Sequence, residues 1–313
     1  MKAIQFLTIT ALGAALFASC SNEEELTRGS YPNDNIIRVT AGVNNMTRGN
    51  EATTALNKDF SLNVVNSTND NYSYANEIFS LNSGTEWSST NKLLWENLAT
   101  PVEIVALYPA TDANTFADVF SKETNSYGTI SYGVKPDQSI RDDANDLLLY
   151  HNTSFIPKND LKAGKLDIQF NHAFCRVDIE VTIGSEFNAT NGLAENPIQG
   201  IKVEGTKTTA EIGFTPTAPF FTVTPSASED AASIIPTLDD FTPAASATDQ
   251  AVAKYSCIVI PQTATLKVVL HTSDMEYEWT GTQMELVSGT QYTLQLNLKK
   301  SATTRNFILR ERK

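Results

Sequence analysis

Apolar and polar residues alternate with a period of two along much of this sequence, and there is little evidence of helical periodicity. In the clearest run, Gln291–Leu298, every second residue is Tyr or Leu and the residues between them are polar. Such a period predicts β-strands with one buried and one solvated face. Leu266, Val268 and Leu270 form another such strand, and Ile198–Val203 and Tyr255–Ile260 are further apolar runs. Because Asn, Thr, Ser, Gly and Pro separate the runs at short intervals, the sequence predicts an all-β sandwich.

The longest run, Leu166–Ile183, changes phase near Ala173. Its apolar residues hold even positions up to Phe174 and odd positions from Cys175 onward. Because a slip of one residue turns every later side chain to the opposite face, we expect a β-bulge near Ala173. The next segment, residues 184–197, is rich in Asn, Gly and Glu and lacks an apolar period. We therefore expect an N-terminal domain of residues 49–190 and a C-terminal domain of residues 191–313.

The first twenty residues have the pattern of a lipoprotein signal peptide. Lys2 gives a positive start, residues 3–18 are mostly apolar, and the run ending at Cys20 resembles a lipobox. This length suits a secretory signal and is too short for a membrane span. We expect residues 1–19 to be the signal peptide and residues 20–48 to be a propeptide, lipidated at Cys20, that contains the first strand. A plain signal peptide with an incidental cysteine is the alternative.

Composition and charge narrow the classes of function. The 313 residues carry a net charge of −13, so no basic surface is available to bind the phosphates of a nucleic acid. Three cysteines and three histidines without a local Cys/His cluster leave little for a metal site. No Gly-rich phosphate loop, serine nucleophile elbow or zinc-protease motif occurs. We therefore predict a protein that is not an enzyme and has no catalytic, cofactor-binding or metal-binding residues.

The side chains that could act in catalysis or ligand binding are expected to be structural instead. His172 lies between aromatic residues, and Cys175 and Cys257 lie inside apolar strands, where a thiol behaves as a small hydrophobic group. Scattered single tryptophans are usually core residues and only rarely a platform for sugar stacking. The tryptophans are Trp87, Trp95 and Trp279.

A strand followed by a polar, basic stretch is the strongest functional signal in the sequence. The apolar positions of this strand are Ile37, Val39, Ala41 and Val43. Residues 46–50 follow it directly, so we expect an arginine-specific protease to cut after Arg48 and leave Gly49 as the new N-terminus. Arg28, which also precedes a glycine, is an alternative site. Arg38 lies within the strand and should be protected.

Together these features resemble the fimbrillin family, the lipoprotein precursors of type V pili. The resemblance covers most of the chain and rests on the order of several short motifs. These are the lipobox at Cys20, the strand with Thr47-Arg48, Val102–Pro109, Asn145–Leu148, Leu166–Val177 and Leu286–Leu294. The resemblance implies two tandem transthyretin-like β-sandwich domains after a lipoprotein signal peptide.

The resemblance also implies a function, namely a structural subunit of a type V pilus that serves adhesion. Such a subunit is exported as an outer-membrane lipoprotein and loses its first strand to an arginine-specific protease. It then joins other fimbrillin subunits by strand exchange in a cell-surface pilus. The expected partners are therefore those subunits, the protease, and the outer membrane through the lipid, such as palmitate, on Cys20.

The sequence leaves some alternatives open. Near the C-terminus only Phe307 and Leu309 alternate in phase, which makes a poor donor strand and leaves stalk, tip and anchor roles possible. The alternative function is a surface adhesin or glycan-binding lipoprotein that never polymerises. It would use the tryptophans or the loops expected in residues 215–253.

Overall fold

A computed structural model describes residues 34–44, 56–83, 86–110, 120–121, 126–215, 220–300 and 307–311. Most of these residues lie in β-strands, which confirms the all-β prediction. The strands, in chain order, are β1 (Val39–Val43), β2 (Phe60–Val65), β3 (Tyr74–Ser83), β4 (Glu86–Ser89), β5 (Val102–Tyr108), β6 (Phe120–Ser121), β7 (Ser126–Tyr127), β8 (Thr129–Gly133), β9 (Leu148–Phe155), β10 (Leu166–His172), β11 (Cys175–Ile183), β12 (Ile198–Thr206), β13 (Thr209–Phe214), β14 (Phe221–Pro225), β15 (Ala232–Ile234), β16 (Thr237–Thr242), β17 (Ala251–Val259), β18 (Thr263–Thr272), β19 (Glu276–Glu285), β20 (Gln291–Leu298) and β21 (Phe307–Glu311).

Helical structure in the described ranges is limited to single turns. The α-helical turn α1 spans Pro157–Asp160, and 3₁₀ turns span Asp70–Tyr72, Asp143–Asn145 and Ser185–Phe187. Within the described part of the chain, no helix has the length and apolar character needed to cross a membrane. The expected signal peptide of residues 1–19 and the residues Cys20, Arg28, Arg48 and Gly49 lie outside the described residues.

The first half of the chain forms a sheet that closes on itself. Its strand order is β1-β10-β9-β5-β2-β3-β4. Side chains that point inward form one core, as β10 illustrates: Leu166, Ile168 and Phe170 are fully buried, whereas the residues between them are partly exposed. This alternation is the period of two seen in the sequence, with the apolar face turned to the inside of the closed sheet.

The second half packs around another core, built from two sheets. One sheet has the order β16-β17-β11-β20-β21 and the other has the order β15-β12-β18-β19. Strand β11 is central in the first of them, antiparallel to β17 and parallel to β20. Its inward residues Val177, Ile179 and Val181 have no exposed surface. Strand β11 therefore lies at the centre of its sheet and contributes fully buried side chains to this core.

The two cores meet at β5 and at the start of β9, where consecutive residues on both faces are buried. Ile104 and Leu148 belong to the core of the closed sheet, whereas Val105 and Leu149 belong to the second core. A small sheet in the order β14-β13-β8 adds a second connection, because β13 of the second half pairs with β8 of the first half. The halves therefore share continuous packing.

The phase change near Ala173 marks a transfer between sheets, so the prediction of a β-bulge was wrong. The run Leu166–Ile183 divides into β10, which belongs to the closed sheet, and β11, which belongs to the second core. The buried pair Ala173–Phe174 joins them, and the backbone N–H of Ala173 donates to the carbonyl of Leu147 at 2.8 Å. The phase reverses because each strand faces a different core.

Strand β11 also bears on the expected domain boundary. It packs with the second core, although a boundary between residues 190 and 191 would assign it to the N-terminal domain. We propose that the division falls at Ala173–Phe174, where the chain passes from the closed sheet to the second core.

Candidate functional site

Strand β1 completes the closed sheet by lying between β10 and β4. It runs parallel to β10 over five residue pairs, from Val39↔Leu166 to Val43↔Phe170. On its other side it is antiparallel to β4 over the two pairs Val39↔Trp87 and Thr40↔Glu86. Removing β1 would therefore open the sheet and leave the facing edges of β10 and β4 with unpaired backbone groups.

Backbone hydrogen bonds also hold the residues on either side of β1. They run from the N–H of Ile37 to the carbonyl of Leu93 (3.0 Å), from the N–H of Trp95 to the carbonyl of Asn35 (2.8 Å), and from the N–H of Asn44 to the carbonyl of Phe170 (2.8 Å). The segment is thus attached before, along and after the strand.

The inward face of β1 lies on an aromatic floor. Ile37 is 5% exposed and Val39 is 2% exposed, while Ala41 and Val43 are partly buried against the same core. The floor is an aromatic cluster in which the Phe60 ring lies 5.4 Å from Phe79, 4.9 Å from Trp87 and 5.5 Å from Phe170. We call this floor, together with the facing edges of β10 and β4, the β1 groove.

The outward face of β1 is polar, and an ion pair lies directly before the strand. Arg38 bonds Asp34 at 2.6 Å, and this hydrogen bond lowers the pKa of the Asp34 carboxyl to about 2. The hydroxyl of Thr40 donates to Asp167 Oδ1 at 3.3 Å. Because the Arg38–Asp34 pair is exposed and the Thr40–Asp167 bond is only part-buried, these contacts contribute little to stability. Burial of the inward face is therefore the main force that holds β1.

The sequence-predicted strand residues come together in this groove, whereas the predicted cleavage residues fall in the connection that follows it. Strand β1 ends at Val43 and β2 begins at Phe60. Arg48 and Gly49 belong to residues 45–55, between these strands and outside the described residues. That connection is the covalent link between β1 and the rest of the closed sheet.

A cavity of about 420 Å³ opens beside β1, on the side of β4. Ile37 and Val39 line it from β1, and Phe79, Trp87 and Leu93 line it from the closed sheet. Cationic side chains also contribute, namely Arg38, Lys92 and Lys165, with the carboxylate of Glu86. Periodicity cannot locate such a cavity, because it lies where two distant segments fail to pair.

Two histidines form buried pairs with carboxylates. Nε2 of His151 lies 2.5 Å from Glu103 Oε1, and its Nδ1 lies 3.1 Å from the carbonyl of Phe220. Nδ1 of His172 lies 2.9 Å from Asp146 Oδ2. The sequence missed these partners because they are 48 and 26 residues away. Each pair joins neighbouring elements, as expected of structural residues.

The cysteines and tryptophans are core residues. Burial raises the pKa of both the Cys175 and the Cys257 thiol, to about 12 for Cys257, so neither forms the thiolate that acts as a nucleophile. The tryptophans are between 3% and 5% exposed. Their rings therefore offer no platform for a sugar. Among the described residues, no group of three or more His, Cys, Asp or Glu side chains is arranged to hold a metal ion.

Comparison with known proteins finds a matching family model and solved structures of similar fold. A family model described as fimbrillin-like matches residues 40–308. No curated protein matches the sequence. Among solved structures, a "putative cell adhesion protein" from Bacteroides uniformis has 15% identity and a TM-score of 0.59, covering 90% of this chain and 100% of its own. Another so described, from Bacteroides ovatus, has 14% identity and a TM-score of 0.57, with 90% and 97% covered.

Proposed function

The chain belongs to the fimbrillin-like family, and from this premise we propose that it is a structural subunit of a type V pilus that assembles by strand exchange. In this proposal it is exported as an outer-membrane lipoprotein through Cys20, activated by arginine-specific cleavage, and joined to other subunits on the cell surface. The observation that carries the proposal is the position of β1, which alone closes the sheet between β10 and β4.

The β1 groove cannot stay empty once β1 has left. Burial of an aliphatic side chain contributes ~1.5–3 kcal/mol, so Ile37 and Val39 together contribute roughly 3–6 kcal/mol. A typical domain is stable by only ~5–15 kcal/mol. The backbone groups left unpaired along the edges of β10 and β4 further destabilise the empty groove and favour binding of a replacement strand. A strand from another subunit supplies both the apolar side chains and the backbone hydrogen bonds.

Cleavage in the connection between β1 and β2 supplies the switch. A cut after Arg48 leaves β1 bound only by non-covalent contacts, so it can be exchanged. Arg38 is a poor site by comparison, because its carbonyl accepts from the N–H of Leu166 and its side chain is bonded to Asp34. A cut after Arg28 would leave β1 covalently attached to β2.

The test of the proposal is replacement of the cleavage arginine. Arg48→Ala should block release of the first strand and fibre formation, while the melting temperature of the precursor stays unchanged. Arg28→Ala is the matched control and should assemble normally. N-terminal sequencing of surface fibres should give chains that begin at Gly49. Fibres of Arg48→Ala equal in yield to those of the unmodified chain would refute the proposed activation.

A further inference from the structure

The two sides of β1 are held very unequally. Five consecutive residues pair with β10, whereas Val39 and Thr40 alone pair with β4. Toward the N-terminus the contacts on that side resume at Ile37, whose N–H donates to the carbonyl of Leu93, and at the isolated bridge between Ile36 and Leu94. Arg38 therefore faces a gap in the ladder, and the cavity beside β1 opens at this gap.

The floor of the cavity is continuous with the core that β1 covers. Ile37, Val39, Phe79, Trp87 and Leu93 line the cavity and belong to the same hydrophobic cluster. Its volume of about 420 Å³ falls in the range of ~300–1,000 Å³ found for ligand pockets. An apolar side chain can thus reach the core here while β1 is still in place.

The charge of the cavity lining differs from that of the chain as a whole. Among the cations that line the cavity, Arg38 is paired with Asp34 and Lys165 with Glu86, so Lys92 gives this place an excess of one positive charge on a chain with a net charge of −13. The ammonium group of Lys92 therefore favours approach by an acidic segment of a second copy of this chain. Charge complementarity and continuity with the β1 groove both point to a second copy as the occupant.

We propose that this cavity is where strand exchange begins: an extended segment of a second copy places its first apolar side chain in the cavity before β1 leaves. This inference rests on the proposed function. Prior loss of β1 would expose Ile37, Val39 and two sheet edges at once. Stepwise replacement from the cavity avoids that state, because each residue of the incoming strand pairs as a residue of β1 departs.

The first experiment measures the rate at which a strand enters the β1 groove. The probe is a dye-labelled synthetic peptide of residues 34–44, which has the sequence that the groove already holds. It is added to the chain cleaved after Arg48, and fluorescence anisotropy follows its uptake. Ser88→Trp introduces a large side chain at an exposed position of the cavity lining, where it should obstruct entry. We expect at least a tenfold slower uptake with the same final extent.

Two further variants make the outcome decisive. Thr90→Trp, at another exposed position of the lining, should also slow uptake and replaces Ser88→Trp if that variant does not fold. Ser154→Trp, exposed on β9 and away from the lining, is the control and should leave the rate unchanged. Uptake by both cavity variants as fast as by the unmodified chain would overturn the inference and leave the proposed function intact. No uptake by the unmodified cleaved chain would overturn both.

The second experiment tests the identity of the occupant. Light scattering follows assembly of the cleaved chain, with Lys92→Glu in the lining and Lys202→Glu, exposed on β12, as the control of equal charge change. We expect Lys92→Glu to slow assembly several-fold more than Lys202→Glu does. Equal rates for the two variants would show that charge in the lining does not attract a second copy.

Discussion

Val39 shows at the scale of one residue why β1 stays in place and which kind of side chain each position of the strand requires. Its side chain is 2% exposed, and it pairs with Leu166 on one side and with Trp87 on the other. The next residue, Thr40, faces outward between Asp167 and Glu86. Adjacent positions of one strand therefore meet an apolar core and a charged surface, where Asp167 and Glu86 are paired with Lys162 and Lys165.

The first prediction compares a charge on each face. Val39→Asp should lower the stability of the uncleaved precursor by about 4 kcal/mol, because the buried carboxyl must stay protonated or expel the strand. Thr40→Lys should be nearly neutral, since its ammonium group would lie between two carboxylates. Urea unfolding of both variants measures the difference.

The choice of control depends on the structure. Strand alternation alone suggests Thr40→Asp as a silent outward substitution. The pairing places that carboxylate opposite Asp167 and Glu86, where like charges repel. If Val39→Asp proves as stable as Thr40→Lys, the assignment of Val39 to the core of the closed sheet is wrong.

At the scale of elements, β1 is defined by its neighbours more than by its own five residues. An isolated strand has no stability of its own, so the ladder with β10 and the burial on the aromatic floor maintain it. The side chains of Thr40 and Asp167 meet across the ladder at 3.3 Å. This contact offers a way to fasten β1 to its parallel partner.

The second prediction uses a reversible cross-link between these strands. In Thr40→Cys/Asp167→Cys, a disulfide should retain β1 after cleavage at Arg48 and prevent assembly, because the groove stays occupied. Adding a reductant should release β1 and restore assembly. Thr40→Cys alone is the control and should assemble under both conditions. Fibres formed by the oxidised double variant would contradict exchange of β1.

At the scale of the whole molecule, the two cores are parts of one packed body. Val105 and Leu149 reach the second core from strands whose other faces fill the first. His151 of β9 adds ring contacts with Phe214 and Phe220, at 6.1 Å and 5.7 Å between centroids. Loss of either core would expose one face of β5 and β9.

The third prediction is that both cores unfold together. Trp87 and Trp95 report on the first core and Trp279 on the second. Variants that keep tryptophan in only one of the cores should give the same urea midpoint by fluorescence, because shared strands couple the cores. Far-ultraviolet circular dichroism should coincide with both. Two separated transitions would show that the halves unfold independently.

The fourth prediction concerns the membrane. Cys20→Ala should move the precursor from the detergent phase to the aqueous phase, because acyl chains on this residue are the anchor that we propose. Ser21→Ala is the control and should partition as the unmodified precursor does. Retention of Cys20→Ala in the detergent phase would refute lipidation at this position.

Local pattern was enough to predict several of the strands, their buried faces and the family resemblance. Whether a residue such as Val177 or Leu294 is buried follows from a period of two, which each strand carries in its own sequence. The first strand and its apolar face were found for the same reason. The fimbrillin family model bears out the resemblance that the order of short motifs indicated.

Only the tertiary structure decided which strands pair and which core each one serves. The period of Leu166–Ile183 shows that the face changes but cannot show that a different sheet begins there. Residues distant in sequence determine the position of β1 between β10 and β4. They also determine the partners of His151 and His172 and the location of the cavity. Thr40 and Asp167, for example, are 127 residues apart. Such contacts follow from how the whole chain closes, because side-chain periodicity specifies a face and leaves the neighbour on that face undetermined.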